Sequence, residues 1–228
     1  ILSSRREYTK INPFVVLLGK GDHQITSSWT DLEDYEYTTT LGFTCSNITF
    51  VGTGKDTTTI LGGLCIDNVE NITFKQMTIS NRNNQFLGSG IRMYHSKVAV
   101  IDVAIKYCSN AAISMKYIQS VVATRCEFAH NAQGIVIKGS LGSSSSATFN
   151  NCVFHNNSND GVFVSGNTIV HLHGEATAIR YNQRDGIHAR DNAKVFIHQI
   201  SERHIHGNQR ANFKTNVSRT GGTIKFVK

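Results

Sequence analysis

The sequence predicts an all-β solenoid, a single-stranded right-handed parallel β-helix of about seven to eight coils with three short strands in each. Three registers predict it. A small residue followed by an apolar one recurs as Gly42-Phe43, Gly63-Leu64, Gly90-Ile91, Ala112-Ile113, Gly134-Ile135, Gly161-Val162, Gly186-Ile187 and Asn212-Phe213, with the apolar members 21, 27, 22, 22, 27, 25 and 26 residues apart. Apolar pairs seven residues apart follow: Ile72/Ile79, Val98/Ile105, Val121/Phe128, Ala147/Phe154 and Leu172/Ile179. Asn131, Asn157, Asn182 and Asn208 each stand three residues after an apolar anchor, at spacings of 26, 25 and 26.

Each small–apolar pair opens an alternating stretch such as GIRMYH, AISMKY, GIVIKG, GVFVSG or GIHARD. Side chains of such a stretch turn alternately in and out, as a strand requires. The pairs seven apart place one member in a strand and the other in the next, across a short bend, so three strands close a triangle. No long segment keeps the i, i+3, i+4, i+7 pattern of an amphipathic helix. Asparagine tolerates left-handed backbone angles, and its amide bonds the coils above and below, so the asparagine column reads as structural and not catalytic.

Composition agrees. Among 228 residues, 39% are hydrophobic and 17% charged, with one proline (Pro13) and 19 glycines, which suits many short strands joined by tight turns. No run approaches the roughly 18 apolar residues of a membrane span, and ILSSRREYTK at the start lacks the apolar core of a signal peptide. An extracellular or particle-associated setting is nevertheless the favoured expectation for localisation. The net charge of +7 points to anionic partners. Five cysteines lack metal-ligand spacing, and their odd number leaves at least one unpaired. Residues 1–13, with Arg5, Arg6 and Lys10, are expected as an N-terminal cap or arm, 14–215 as the β-helix, and 216–228 as a C-terminal cap strand. The segment 27–40, with Asp31, Glu33, Asp34, Glu36, Trp29, Tyr35 and Tyr37, is expected as a loop or short helix leaning on the first coils. The stretches 81–88 and 140–146 are expected to bulge between strands.

NVENITFKQMTISN (68–81), CEFAHNAQGIVIKGS (126–140), PFVVLLGKGDHQI (13–25) and NITFVGTGKDTTTILGG (47–63) resemble the repeats and opening coils of the pectate-lyase-like superfamily of parallel β-helices. The resemblance spans roughly residues 14–208. It implies the fold and leaves function open, because that superfamily holds lyases, hydrolases, epimerases, phage tailspikes and non-catalytic binding modules. The Asp-Pro-His motif of the alginate epimerases, the Asp-Asp pair of the polygalacturonases and the motifs of the pectin methylesterases are missing.

Stacking the coils sets two outer columns side by side. One is Cys65, Arg92, Ser114, Val136, Phe163, His188 and Lys214; the other is Asp67, Tyr94, Lys116, Lys138, Ser165, Arg190 and Asn216. Arg92, Tyr94, Lys116, Lys138, His188, Arg190 and Lys214 make a basic strip with interleaved aromatics. Lys116 and Lys138 are expected as direct neighbours, about 4.8 Å apart, a like-charge contact that strands usually avoid. The expected partner is an acidic polysaccharide or an acidic protein surface. Nucleic acid ranks lower, through phosphate contacts and stacking on Tyr94 or Phe163. With Asp67 the only acid placed on the strip and no stacked acid pair on any outer face, a non-catalytic binding or assembly module is the leading expectation. The alternatives are a polysaccharide lyase, with Lys116 or Tyr94 as base and Arg92 and Lys138 neutralising the uronate, and a structural subunit of a larger particle.

Histidine forms a second constellation. His171 and His173 leave one strand on the same side, and His198 is expected to stack on His173 one coil later, a set able to hold Zn²⁺. No cofactor is otherwise expected; Asp67 alone is too little for a dedicated Ca²⁺ site. His130 and His155 are read as turn residues beside the asparagine column. Cys126 and Cys152 occupy one inner position in consecutive coils, as a buried thiol ladder or a disulfide. The sequons at Asn47, Asn71, Asn156 and Asn216 bear on a secreted chain only.

Overall fold

A computed structural model describes residues 8–30, 36–83, 88–117, 119–139, 145–215 and 221–227. Arg5, Arg6, Asp31, Glu33, Asp34, Tyr35, Asn216, and parts of the 81–88 and 140–146 stretches lie outside the described residues. The chain is a right-handed β-helix of about seven stacked parallel coils. One face is an eight-stranded sheet built from Thr40–Phe43, Gly63–Asp67, Ile91–Tyr94, Ala111–Lys116, Gln133–Lys138, Val162–Ser165, Asp185–Arg190 and Ala211–Thr215. The other two faces merge into a 15-stranded sheet, because Ile72–Ser80 and Lys97–Lys106 each run unbroken round a corner.

That corner turns on single left-handed residues, Gln76, Asp102, Arg125 and Asn151, with φ between 53° and 55°. One such residue redirects the chain without breaking the ladders on either side. Arg125 forks onto Asp102 in the neighbouring coil with two 2.7 Å hydrogen bonds, which ties the corner together. Register follows the apolar columns. Leu64, Ile91, Ile113, Ile135, Val162, Ile187 and Phe213 are successive partners. Two sequence assignments shift by two residues: Leu41, not Phe43, partners Leu64, and Val170, not Leu172, partners Ala147. The second shift arises where four residues (174–177) separate strands that residues 151 and 152 alone separate one coil earlier.

The interior is one continuous apolar cluster in which Phe74, Phe128, Phe149 and Phe154 are fully buried. Phe128 and Phe154 stack across adjacent coils at 5.0 Å between centroids. Burying each such side chain contributes about 1.5–3 kcal/mol. Gly134 is obligatory in this stack, because a Cβ there would stand 2.1 Å from the carbonyl oxygen of Gly161. Along one corner the carboxamides of Asn131, Asn157, Asn182 and Asn208 form an unbroken ladder: the oxygens of Asn157, Asn182 and Asn208 each accept from the backbone N–H and the amide of the asparagine one coil before, and Asn131 Oδ1 accepts from the Cys108 N–H.

The segment around Trp29 is a short antiparallel ribbon, Trp29–Thr30 against Glu36–Tyr37, where a loop or helix was the expectation. None of the five cysteines is in a disulfide, and Cys126 and Cys152 are buried at equivalent positions in adjacent coils. Burial pushes the Cys108 thiol up to about 12 and raises that of Cys152 as well, so neither is a ready nucleophile. His130 is a left-handed corner residue, as expected, whereas His155 ends the strand Val153–His155. The final strand, Thr223–Val227, continues the parallel ladder on Lys194–His198. Among the described residues no helix is long and apolar enough to cross a membrane.

Candidate functional site

The outer surface of the eight-stranded sheet carries both predicted columns in the predicted register. Arg92 partners Cys65 and Ser114, then Val136, Phe163, His188 and Lys214 follow; Tyr94 partners Asp67 and Lys116, then Lys138, Ser165 and Arg190 follow. The alternation of short parallel strands fixes this, since once one inward residue is placed its neighbours must face solvent. The surface falls into three zones that the sequence did not distinguish.

At the N-terminal end the Trp29–Tyr37 ribbon lies over the sheet. The Trp29 indole fills the space above Gly42, where a Cβ would meet its ring at 1.7 Å. The Arg92 guanidinium stands 4.6 Å from the centre of the Tyr37 ring, and Cys65, between Gly42 and Arg92 in the register, is buried. Arg92 also donates from Nη1 to the Tyr94 hydroxyl at 3.3 Å.

The middle zone is open. Lys116 and Lys138 are direct partners in adjacent coils, and neither makes an ion pair among the described residues. Lys116 Nζ lies 5.9 Å from the Tyr94 ring centre. Further along, Arg190 lies over the Phe163 ring at 5.1 Å while its Nε meets Asp191 at 3.0 Å. Arg92, Tyr94 and Lys116 of the lyase expectation are thus adjacent, with its fourth residue, Lys138, next to Lys116.

The C-terminal zone corrects the expectation that the strip holds no acid pair. Asp160, two residues before the strand Val162–Ser165, and Asp185, the first residue of Asp185–Arg190, occupy equivalent positions in consecutive coils, and the Asp185 N–H donates to Asp160 Oδ1 at 3.0 Å. Both carboxylates are almost wholly buried. His188 Nδ1 lies 3.5 Å from Asp160 and 3.8 Å from Asp185, while Lys214 Nζ and Arg210 Nη1 approach Asp185 at 3.8 and 3.9 Å. His188, expected on the open strip, is 7% exposed, because these acids draw it against the sheet and Phe163 packs edge-on at 5.2 Å. A buried carboxylate is tolerated only with cations around it, and Lys214 and Arg210 take that place beside Asp185, with His188 packed against both acids.

The clue in the sequence was the recurrence of Asn-Asp-Gly-Val (159–162) and Arg-Asp-Gly-Ile (184–187). Strict alternation counted back from Val162 would send Asp160 inward. Gly161 faces inward as well, toward Ile179 and Asn182, so the phase slips by one at the bend and releases Asp160 to the outside.

On the 15-stranded sheet the three predicted histidines are together. His198 is the direct partner of His173, their rings 4.2 Å apart, and His171 Nδ1 lies 3.0 Å from His198 Nε2. A separate groove of about 490 Å³ opens on that sheet, lined by Thr59, Thr78, Asn83, Arg82 and Tyr107 among others. The nearby Glu127 is held at about 2, well below the usual carboxylate range, by hydrogen bonds from His155 and then Lys106, partly opposed by burial.

The family model for the right-handed β-helix region matches residues 39–177. No curated protein sequence is significantly similar to the chain. Among solved structures, ORF18 of Geobacillus virus E2 superimposes with a TM-score of 0.56 at 14% identity, over 93% of this chain and 54% of that one. The A-module of the mannuronan C-5 epimerase of Azotobacter vinelandii gives 0.48 at 14% identity, over 96% of this chain and 80% of that one. The chain therefore spans about half the length of the viral protein, and at these identities the likeness is one of fold.

Proposed function

This chain belongs to the family of right-handed β-helix regions, and from that premise we propose that it is a binding module for an acidic polysaccharide, which lies across the coils on the outer face of the eight-stranded sheet. The observation that carries the reading is the direct pairing of Lys116 with Lys138 in a zone where neither has a carboxylate partner among the described residues. Like charges in direct cross-strand register are destabilising, and an anionic chain crossing the coils relieves that repulsion at each step. Tyr94 on one side and the Arg190–Phe163 pair on the other supply flat apolar surface for sugar rings beside the cations. The buried Asp160 and Asp185 offer no acid that a substrate reaches without displacing His188 or Lys214, which favours binding over glycoside hydrolysis.

A second reading, a polysaccharide lyase, draws on the hydrogen bond from Arg92 to Tyr94 with Lys116 in register beside it. The test uses polygalacturonate, alginate and heparin as probes, with neutral dextran as control. At least one acidic probe is expected to bind the wild type and to bind Lys116→Glu/Lys138→Glu tenfold or more weakly, without a new absorbance from unsaturated uronate. Equal binding by the double variant overturns the assignment of the strip. Sustained appearance of unsaturated product replaces the leading reading with the second.

A further inference from the structure

The histidine cluster on the 15-stranded sheet lies on a different sheet from the proposed glycan track and plays no part in it. His171 and His173 are two residues apart in the strand Thr168–His173 and so emerge on one side. The parallel register brings His198, from Lys194–His198, beside His173. One ring nitrogen from each of the three lies within 4.8 Å of the others. Phe196, the register partner of His171, stacks on the His171 ring at 5.3 Å and steadies its orientation from one side.

Neutral imidazoles keep a lone pair on one ring nitrogen, which is the form that ligates a metal. His171 Nδ1 and His198 Nε2 are hydrogen-bonded at 3.0 Å, one of the two donating a proton that a metal ion would displace. In a tetrahedral Zn²⁺ site, with Zn–N near 2.0–2.1 Å, ligating nitrogens stand about 3.3 Å apart. That pair therefore stands within a few tenths of an ångström of ligating separation.

His173 and His198 are stacked at an interplanar angle of 11°, so their lone pairs run side by side instead of converging. Convergence needs one ring to turn about its Cβ–Cγ bond. That torsion is broad, so the movement is soft. Asn150, the register partner of His173 in the preceding coil, flanks the cluster with a neutral amide. The ligand group contains no carboxylate, and an all-imidazole set suits borderline transition metals and not Ca²⁺ or Mg²⁺.

We propose that His171, His173 and His198 bind one divalent transition-metal ion of the Zn²⁺ class, with the fourth position left to water. The ion clips together two consecutive coils near the C-terminal end of the stack, where the ladder has one further strand, Thr223–Val227, to go. With three protein ligands and one open position, the site has the pattern of a reactive zinc centre and not of a closed structural one.

The test uses the full chain, stripped with chelator, on a Cys45→Ser background so that the exposed thiol does not compete. Calorimetric titration with ZnCl2 is expected to give one site per chain. His173→Ala and His198→Ala are each expected to weaken it tenfold or more, and His23→Ala, on a distant strand, to leave it unchanged. Co²⁺ is expected to give the absorption of a four-coordinate ion, which both cluster variants lose while their circular dichroism stays that of the wild type. Absence of stoichiometric binding, or binding that survives His173→Ala and His198→Ala, overturns the proposal. Because the histidines and the Lys116–Lys138 pair lie on different sheets, either result leaves the glycan reading to be decided by its own experiment.

Discussion

Replacing Asn157 by alanine tests what holds the coils in register. Asn157 is wholly buried, and its carboxamide makes four hydrogen bonds. Oδ1 accepts from the N–H of Asn131 at 3.1 Å and from its Nδ2 at 3.2 Å, while Nδ2 donates to the Phe128 carbonyl at 3.1 Å and to Asn182 Oδ1 at 2.9 Å. Asn131 Nδ2 keeps the Ile105 carbonyl, and Asn182 Oδ1 keeps the Asn157 N–H, so these two groups are only weakened. The buried Asn131 N–H loses its acceptor. An unsatisfied buried donor costs about 1–3 kcal/mol, and each ordinary lost bond about 0.5–1.5 kcal/mol, so we expect Asn157→Ala to cost about 3–4 kcal/mol. Against a domain stability of about 5–15 kcal/mol that is a large fraction. Asn208→Ala, at the half-buried end of the ladder, also takes the acceptor from the buried Asn182 N–H, but its other partners are open to water on that side, so it should cost about 2 kcal/mol. Urea unfolding followed by circular dichroism reads both; fluorescence is unsuitable, since the only tryptophan lies at the other end. If the two variants cost the same, or Asn157→Ala costs less than about 1 kcal/mol, the ladder does not carry the coil stacking assigned to it.

Two further perturbations read the corner network and the N-terminal cover. The folded Glu127 carboxyl sits at about 2 against an ordinary 4.5, so its contribution is complete above pH 4.5 and is lost as the pH falls toward 2. Allowing for its partial exposure, about 1–2 kcal/mol is at stake. Glu127→Gln should therefore lower the urea midpoint at pH 7 and flatten its decline between pH 4.5 and pH 2; parallel declines in variant and wild type would contradict this. Gly42→Ala places a methyl group 1.7 Å from the Trp29 ring, and the indole must lift away. A red-shifted emission from this sole tryptophan is expected, and an unchanged spectrum would show that the ribbon is not seated on Gly42.

The coils were legible because their interior needs an apolar side chain at a fixed step, and a β-helix repeats that need every turn. The pairing of Arg92, Lys116 and Lys138 followed from the same step, since outward columns are slaved to inward ones. Legibility failed where the step changes. Leu172 was assigned the place of Val170 because the extra corner residues at 174–177 leave no mark in the apolar pattern. Asp160 and Asp185 were missed because two consecutive residues face inward at the bend before their strands, which strict alternation does not allow. The face covered by Trp29 and Tyr37 could not be read either, since their ribbon lies outside the repeat and takes its place from the space that Gly42 leaves.

These misses bear on where a ligand would lie. A uniform basic strip would favour no particular segment of a bound polyanion. In the structure, Arg92 is engaged by Tyr37 and Tyr94 at one end, and Lys214 and His188 face buried carboxylates at the other. On this sheet Lys116 and Lys138 stand side by side in register without a carboxylate partner among the described residues. Two unit charges about 5 Å apart repel by roughly 0.8 kcal/mol in bulk water and by about 3 kcal/mol at the lower effective dielectric of a protein surface. These are upper figures for ammonium groups held at the strand spacing; Lys116 Nζ leans toward Tyr94, which lengthens the separation and lowers the cost. An anion that straddles the two coils turns the repulsion into attraction twice over. Binding centred there should weaken steeply as salt is added, whereas binding seated on the Arg82–Tyr107 groove, with a single cation, should respond weakly.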